Sequence, residues 1–287
     1  MRIRTAIAVA VLAATAVLSA HTPNTPVERN ILVTVVTKDG APLKDLTPAD
    51  FIVAEDGQKR EVTGATLSNE PMAIALMIDT SKPPIGTDLP IRDIRAGLSA
   101  FVKTIYAANP ESKISLTDIS GAAVKSVNFT NNGDQMLKAT GRVVVSQRSS
   151  GVLIEGLIDT AKDLINAPAA RRAVVVLSFD APEASTTQPR DAAVAIQKSG
   201  AAFWAVTIGS GGSPVREVIF DNLPATTGGM RLTALQGTGL EQMLGNVGAA
   251  LTTQYLVTYT RPDDGKATVI QAGARKGDKV LRANWVR

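Results

Sequence analysis

The chain has 287 residues, of which 45% are hydrophobic and 20% charged, with a formal net charge of +4. That balance suits one substantial core or two modest ones and excludes a disordered chain. Cys is absent and His21 is the single histidine. Disulfides, lipidation on Cys, a zinc site of the usual ligands and Ser-His-Asp or Cys-His nucleophiles are therefore excluded.

Arg2 and Arg4 precede the small and apolar run "TAIAVAVLAATAVLSA". This is the pattern of a secretory leader cleaved after Ala20. A membrane anchor is the alternative, but the run is near the lower length limit for a span and no charges follow it. No other stretch reads as a membrane crossing. Loss of Arg2 and Arg4 would leave a net charge of +2. With no dense Lys/Arg run and few aromatics, nucleic acid is not an expected partner.

A polar spacer over 21–30 leads into a β segment over 31–70. Ile31–Thr37 is β-branched and bounded by a turn signal, and "DFIVAEDGQKREV" places a hairpin turn at Asp56-Gly57. Thr47–Asp50 reads as a short turn between them. From Pro71 to Thr252, strands alternate with helices. "MAIALMID", "RRAVVVLSFD" and "AAFWAVTIG" are continuous apolar runs, as for strands covered on both faces. The stripe Ile91, Ile94, Leu98, Phe101, Val102, Ile105 predicts one amphipathic helix, and Leu153, Leu157, Ile158, Ala161, Leu164 a second. "RDAAVAIQKSG" and "LEQMLGNVGAALTTQ" predict two more, with "KISLTDIS" and "AVKSVNF" as shorter strands. Residues 253–287 return to β, with "YLVTYT", "ATVIQAGA" and "KVLRANWVR" split by turns. The fold class expected is α/β, a doubly wound, mainly parallel Rossmann-like sheet, with the two terminal β segments packed together as a small flanking sandwich.

"LTPADFIVAEDGQKREV", "PMAIALMIDTSKPP" and the closing "QYLVTYTRPDDGK" carry a resemblance to secreted bacterial proteins of the von Willebrand factor A type, over nearly all of the mature chain. The resemblance implies protein binding at the carboxyl ends of the strands. In metal-competent members a divalent ion is held there by an Asp-x-Ser-x-Ser loop, a Thr from a second loop and an Asp after the fourth strand. Here Asp79 and Ser81 match the first two positions and Asp180 the last, while Pro83 and Val152 stand where hydroxyls are required. Mg²⁺ wants about six oxygens. The implied site is thus degenerate, with weak Mg²⁺ affinity at most and no other cofactor; Ser149 and Ser150 are substitute oxygen donors.

Asp79 and Asp180 also read as turn caps, and Pro83-Pro84 as loop stiffeners. "IGSGGSP", Ile208–Pro214, follows a strand and precedes a helix, but it lacks the endings of a phosphate loop and reads as a flexible connection. Asn128-Phe129-Thr130 is a sequon read as a chance match. The leading expectation is a secreted or periplasmic, non-enzymatic module binding a protein through loops at 80–90, 148–151 and 179–188. The alternatives are an accessory subunit in envelope assembly or secretion and a carboxylate-based hydrolase using Asp79, Asp180 and Glu183.

Overall fold

The computed structural model describes residues 26–37, 40–82, 90–148, 150–179, 181–209, 213–234, 237–262, 269–276 and, by backbone alone, 279–286. The run read as a leader and most of the spacer lie outside the described residues, as do Pro83, Ser149 and Asp180.

The central sheet contains β4 (Met72–Ile78), β5 (Lys113–Asp118), β6 (Val124–Thr130), β7 (Arg171–Phe179), β8 (Ala202–Ile208) and β9 (Arg231–Ala234). Their order is β6-β5-β4-β7-β8-β9, with all pairings parallel except that of β6 on β5. Every residue of β4 and β8 is buried, because helices cover both faces. One face carries α1 (Ile91–Ala108), α2 (Gly133–Thr140) and α6 (Leu240–Thr252). The other carries α3 (Leu153–Asn166), α4 (Pro189–Ser199) and α5 (Pro214–Thr227). Helices α1 and α6 approach closely at Gly97, where a Cβ would sit 2.7 Å from Leu244 Cδ1 and 2.9 Å from the Leu240 carbonyl. This is the doubly wound α/β arrangement that the apolar runs and helical stripes imply.

From β4 the chain first adds strands on one side, β5 and β6, and then returns to add β7, β8 and β9 on the other. The topological switch point therefore lies between the carboxyl ends of β4 and β7, where open α/β sheets place their binding crevice.

The terminal segments share one core, built on Ile31, Val33, Val35, Phe51, Val53, Tyr255, Val257 and Tyr259. Their strands are β1 (Val27–Val36), β2 (Phe51–Glu55), β3 (Gln58–Leu67), β10 (Tyr255–Arg261), β11 (Ile270–Lys276) and β12 (Lys279–Val286). The segments pack together, and the result is a closed barrel, β1-β10-β3-β2-β11-β12, in place of a two-sheet sandwich. The reason is that β1 pairs antiparallel on both sides, with β10 and with β12, which leaves no edge strand unpaired. The β2–β3 hairpin turns at Asp56 and Gly57 with φ of 49° and 81°, the left-handed conformation that Asp-Gly tolerates.

Candidate functional site

The site is assembled at the switch point from loops that leave β4, β5 and β7 and from the first turn of α5. β4 delivers Asp79, Thr80 and Ser81, all at most 2% exposed. The Asp79 N–H continues the sheet ladder to the Leu177 carbonyl at 3.0 Å. Its Oδ1 accepts the Ser81 N–H at 2.9 Å, the turn-capping role that short acidic side chains take. Thr80 donates to Asp118 Oδ2 at 2.7 Å, and Ser120 holds Oδ1 of the same carboxylate through its N–H at 2.7 Å and its hydroxyl at 2.5 Å.

Gly151 stitches the rim. Its N–H donates to the Pro182 carbonyl at 3.0 Å, and its carbonyl accepts the Ala184 N–H at 2.8 Å. Val152 follows as the N-cap of α3 and makes no side-chain capping bond. The missing cap comes from elsewhere: Ser185 Oγ accepts the Ile154 N–H at 3.2 Å. Ser150 contributes its carbonyl, which accepts the Gly121 N–H at 2.8 Å.

The centre is occupied by a side chain that the motif pattern does not include. Arg216, in the first turn of α5, is fully buried. Its Nη1 donates to Asp79 Oδ2 and, at 3.2 Å, to Ser178 Oγ. Its Nε donates to Glu183 Oε2 at 2.6 Å. The Asp79 and Glu183 side chains are 0% and 1% exposed, so one guanidinium bridges two buried carboxylates. Planar, fixed donors make arginine the side chain suited to such a bridge. Room for it depends on Gly151: a Cβ there would lie 2.1 Å from Arg216 Nη2 and 2.8 Å from Asp79 Oδ2. Two buried polar atoms among the site residues described have no hydrogen-bond partner, Ser81 Oγ and Arg216 Nη2.

A cavity of about 340 Å³ opens at the opposite end of the sheet, beside Lys113, Lys125, Asn128 and Asp163. It contains none of the predicted site residues, although Asn128 of the sequon lines it, and its Lys125–Asp163 ion pair is partly exposed. Volume alone does not make it the functional site; the buried charges converge at the switch point.

The architecture is similar to that of proximal thread matrix protein 1 from the mussel byssus, in the form whose MIDAS motif is occupied by zinc. The TM-score is 0.54 at 14% identity, over 69% of this chain and 49% of that one. It is also similar to the SpRpn10 VWA domain, with a TM-score of 0.50 at 15% identity over 62% of this chain and 97% of that domain. The fold is of the von Willebrand A type. At these identities the likeness is one of fold, and the match spans about half the length of the mussel protein. No protein-family model and no curated protein matches the sequence.

An A-type metal site needs oxygen ligands free to face the ion, and the described residues do not supply that set. Asp79 spends one carboxylate oxygen on Arg216 and the other on the Ser81 amide. Val152 brings no hydroxyl, and among the described residues no group of three or more His, Asp or Glu side chains could hold a metal. A divalent ion about 4 Å from a guanidinium is repelled by roughly 8 kcal/mol at an effective dielectric of about 20. The acid–base reading meets the same obstacle. Asp79 and Glu183 do come together, but buried and tied to one arginine, so neither faces a substrate. Asp180, a carboxylate of both readings, lies outside the described residues.

Arg216 was not among the residues picked out by motif, but its signal is present. Arg216, Ile219, Phe220, Leu223 and Thr227 form the buried stripe of α5, and a charge on such a stripe demands a buried partner.

Proposed function

We propose that the chain is an exported, non-enzymatic A-type module that binds a protein partner through the loops around the switch point, without a bridging ion. The observation that carries this reading is Arg216 clamped between Asp79 and Glu183, which ties both carboxylates to a buried cation and speaks against their use in catalysis or ion binding. What remains for a partner is the exposed rim. Lys82 and Arg148 lie side by side there, the Lys82 N–H donating to the Arg148 carbonyl at 2.6 Å, and Pro182, Thr186 and Gln188 are exposed nearby. Two exposed cations on a rigid rim favour a partner with an acidic face. Export rests on the leader pattern of the first twenty residues. No described helix is long and apolar enough to cross a membrane.

The test is affinity capture from the exported fraction of the chain's own host, with mass spectrometry of what is retained. One partner should be recovered equally in EDTA and in Mg²⁺, and lost from the Lys82→Glu, Arg148→Glu double variant. Capture that needs Mg²⁺, or hydrolytic turnover abolished by Asp79→Ala, would overturn the reading.

A further inference from the structure

We infer that Arg216 is a tethered replacement for the divalent ion of an A-type site, a cation that the chain itself supplies to the carboxylates of the switch point. This rests on the fold and the geometry of the site, and not on the identity of any partner.

The arginine takes the place of the ion at Asp79 and recruits two further partners. It engages Asp79, the residue that the Asp-x-Ser pattern offers first to a metal, and adds Glu183 and the Ser178 hydroxyl from the strand across the switch point. It enters from α5, whose backbone begins with Ser213 as N-cap and Pro214 in the first turn, so its position is set by a helix rather than by a loop. The space it fills is one that only glycine at 151 leaves open, since any Cβ there would overlap Nη2. Ser81 is the complementary trace. The residue is 2% exposed and its hydroxyl is without a hydrogen-bond partner, an uncommon state for a buried polar group. Guanidinium groups donate and carry no acceptor; Nη1 and Nε are directed at Asp79, Ser178 and Glu183, and Nη2, which has no partner, does not engage that hydroxyl either. An oxygen suited to a cation stays in place beside a cation that does not use it.

The functional meaning is a change of regulation. An ion-dependent site can be emptied, and it can complete its shell with a partner's carboxylate. A guanidinium bonded to the chain cannot leave and offers no exchangeable coordination position. The site is thereby held in one charge state at every calcium, magnesium or zinc concentration.

Mn²⁺ alone is the probe, measured on the full mature chain by titration calorimetry and by melting in about 5 mM Mn²⁺ against EDTA, where a bound ion raises stability as RT ln(1 + [L]/Kd). The unaltered chain should show no saturable binding and no shift. Arg216→Ala should gain an upward shift in Mn²⁺, removed again by adding Asp79→Asn, whereas Arg216→Lys, which keeps a cation in place, should gain none. Saturable Mn²⁺ binding by the unaltered chain, abolished by Asp79→Asn, would overturn the inference. So would an Arg216→Ala chain that folds in EDTA and gains no Mn²⁺ response. Should that variant unfold in EDTA, recovery of the native circular dichroism spectrum in Mn²⁺ supports the exchange of one cation for the other, and failure to recover it overturns it. None of these outcomes depends on whether a protein partner is found.

Discussion

Glu155, in the first turn of α3, accepts at Oε1 the backbone N–H groups of Thr186 and Thr187 at 2.7 and 3.2 Å. It thereby ties the rim segment after β7 to a helix amino terminus, where an acidic side chain is also favoured by the helix dipole. Burial alone would raise its pKa; the hydrogen bonds around it, those of the Thr186 and Thr187 backbone among them, outweigh that and hold it at about 2. The folded value lies below the ordinary value of 4.5, so the carboxylate's contribution is complete above that pH and is lost as pH falls toward 2. Glu155→Gln should cost about 1 kcal/mol at neutral pH, allowing for partial exposure, and the difference from the unaltered chain should shrink between pH 4.5 and 2. Acid titrations of the two melting temperatures check this, and a gap that stays constant with pH refutes it. At this scale the sequence is legible where a residue's role is local. Asp79 could be assigned as a turn cap from its position at a strand end. Arg216 could not be assigned to Asp79, because 137 positions separate them and only the fold brings them together.

Among elements, those with long apolar periods were plain in the sequence and those without were not. β4, β7 and β8 are near-continuous apolar runs, and α1 and α3 have full stripes. By contrast α2 buries only Met136 and Thr140, too few to establish a period, although its Asn132 cap is a readable start signal. β9 has four residues and no alternation. In α5 the buried Arg216 and the internal Pro224 both interrupt the apolar pattern. The polar joint between the barrel and the A-type domain was also hidden, because it centres on one buried arginine. Arg171, at the start of β7, donates to the carbonyls of Ser68 at 3.2 Å and Glu70 at 3.0 Å, to the Leu251 carbonyl, and to Gln254 Oε1 at 2.7 Å. Gln254 in turn donates to Thr34 Oγ1 in β1 at 2.9 Å. Burial pulls the Arg171 pKa down to about 10, which still leaves it charged at neutral pH. Arg171→Ala strands these acceptors in a buried joint, so it should cost about 3 kcal/mol or more. Urea unfolding measures this, and a loss below about 0.5 kcal/mol, the scale of an ordinary surface substitution, would contradict it.

At the scale of the whole molecule, the A-type domain and the barrel depend on different parts of the chain. The domain's sheet pairs strands that all lie between Met72 and Ala234. The barrel joins strands from both flanks of that span. A chain ending after Lys276 would lack β12 and leave one side of β1 unpaired along Leu32–Val36. In hydrogen exchange, the amides of Leu32, Thr34 and Val36, which face β12, should lose protection while those of β4 and β7 keep theirs. Unchanged protection in β1 would show that β12 is dispensable. That the two flanks belong together could be anticipated, since neither has enough strands to bury a face alone. Closure into a barrel could not, because strand order is not encoded in apolar alternation. The pairing of Val33 with Trp285 also sets a timetable. A ribosome, or a translocation channel, releases β1, β2 and β3 long before the strands that flank β1. Pairings so distant in sequence form slowly, and strands waiting for them expose edges that other chains can capture. The A-type domain can meanwhile fold on contacts made wholly within its own span. Newly made chains therefore pass through a stage with a finished sheet and an open barrel, and it is then that they are most exposed to aggregation and proteolysis.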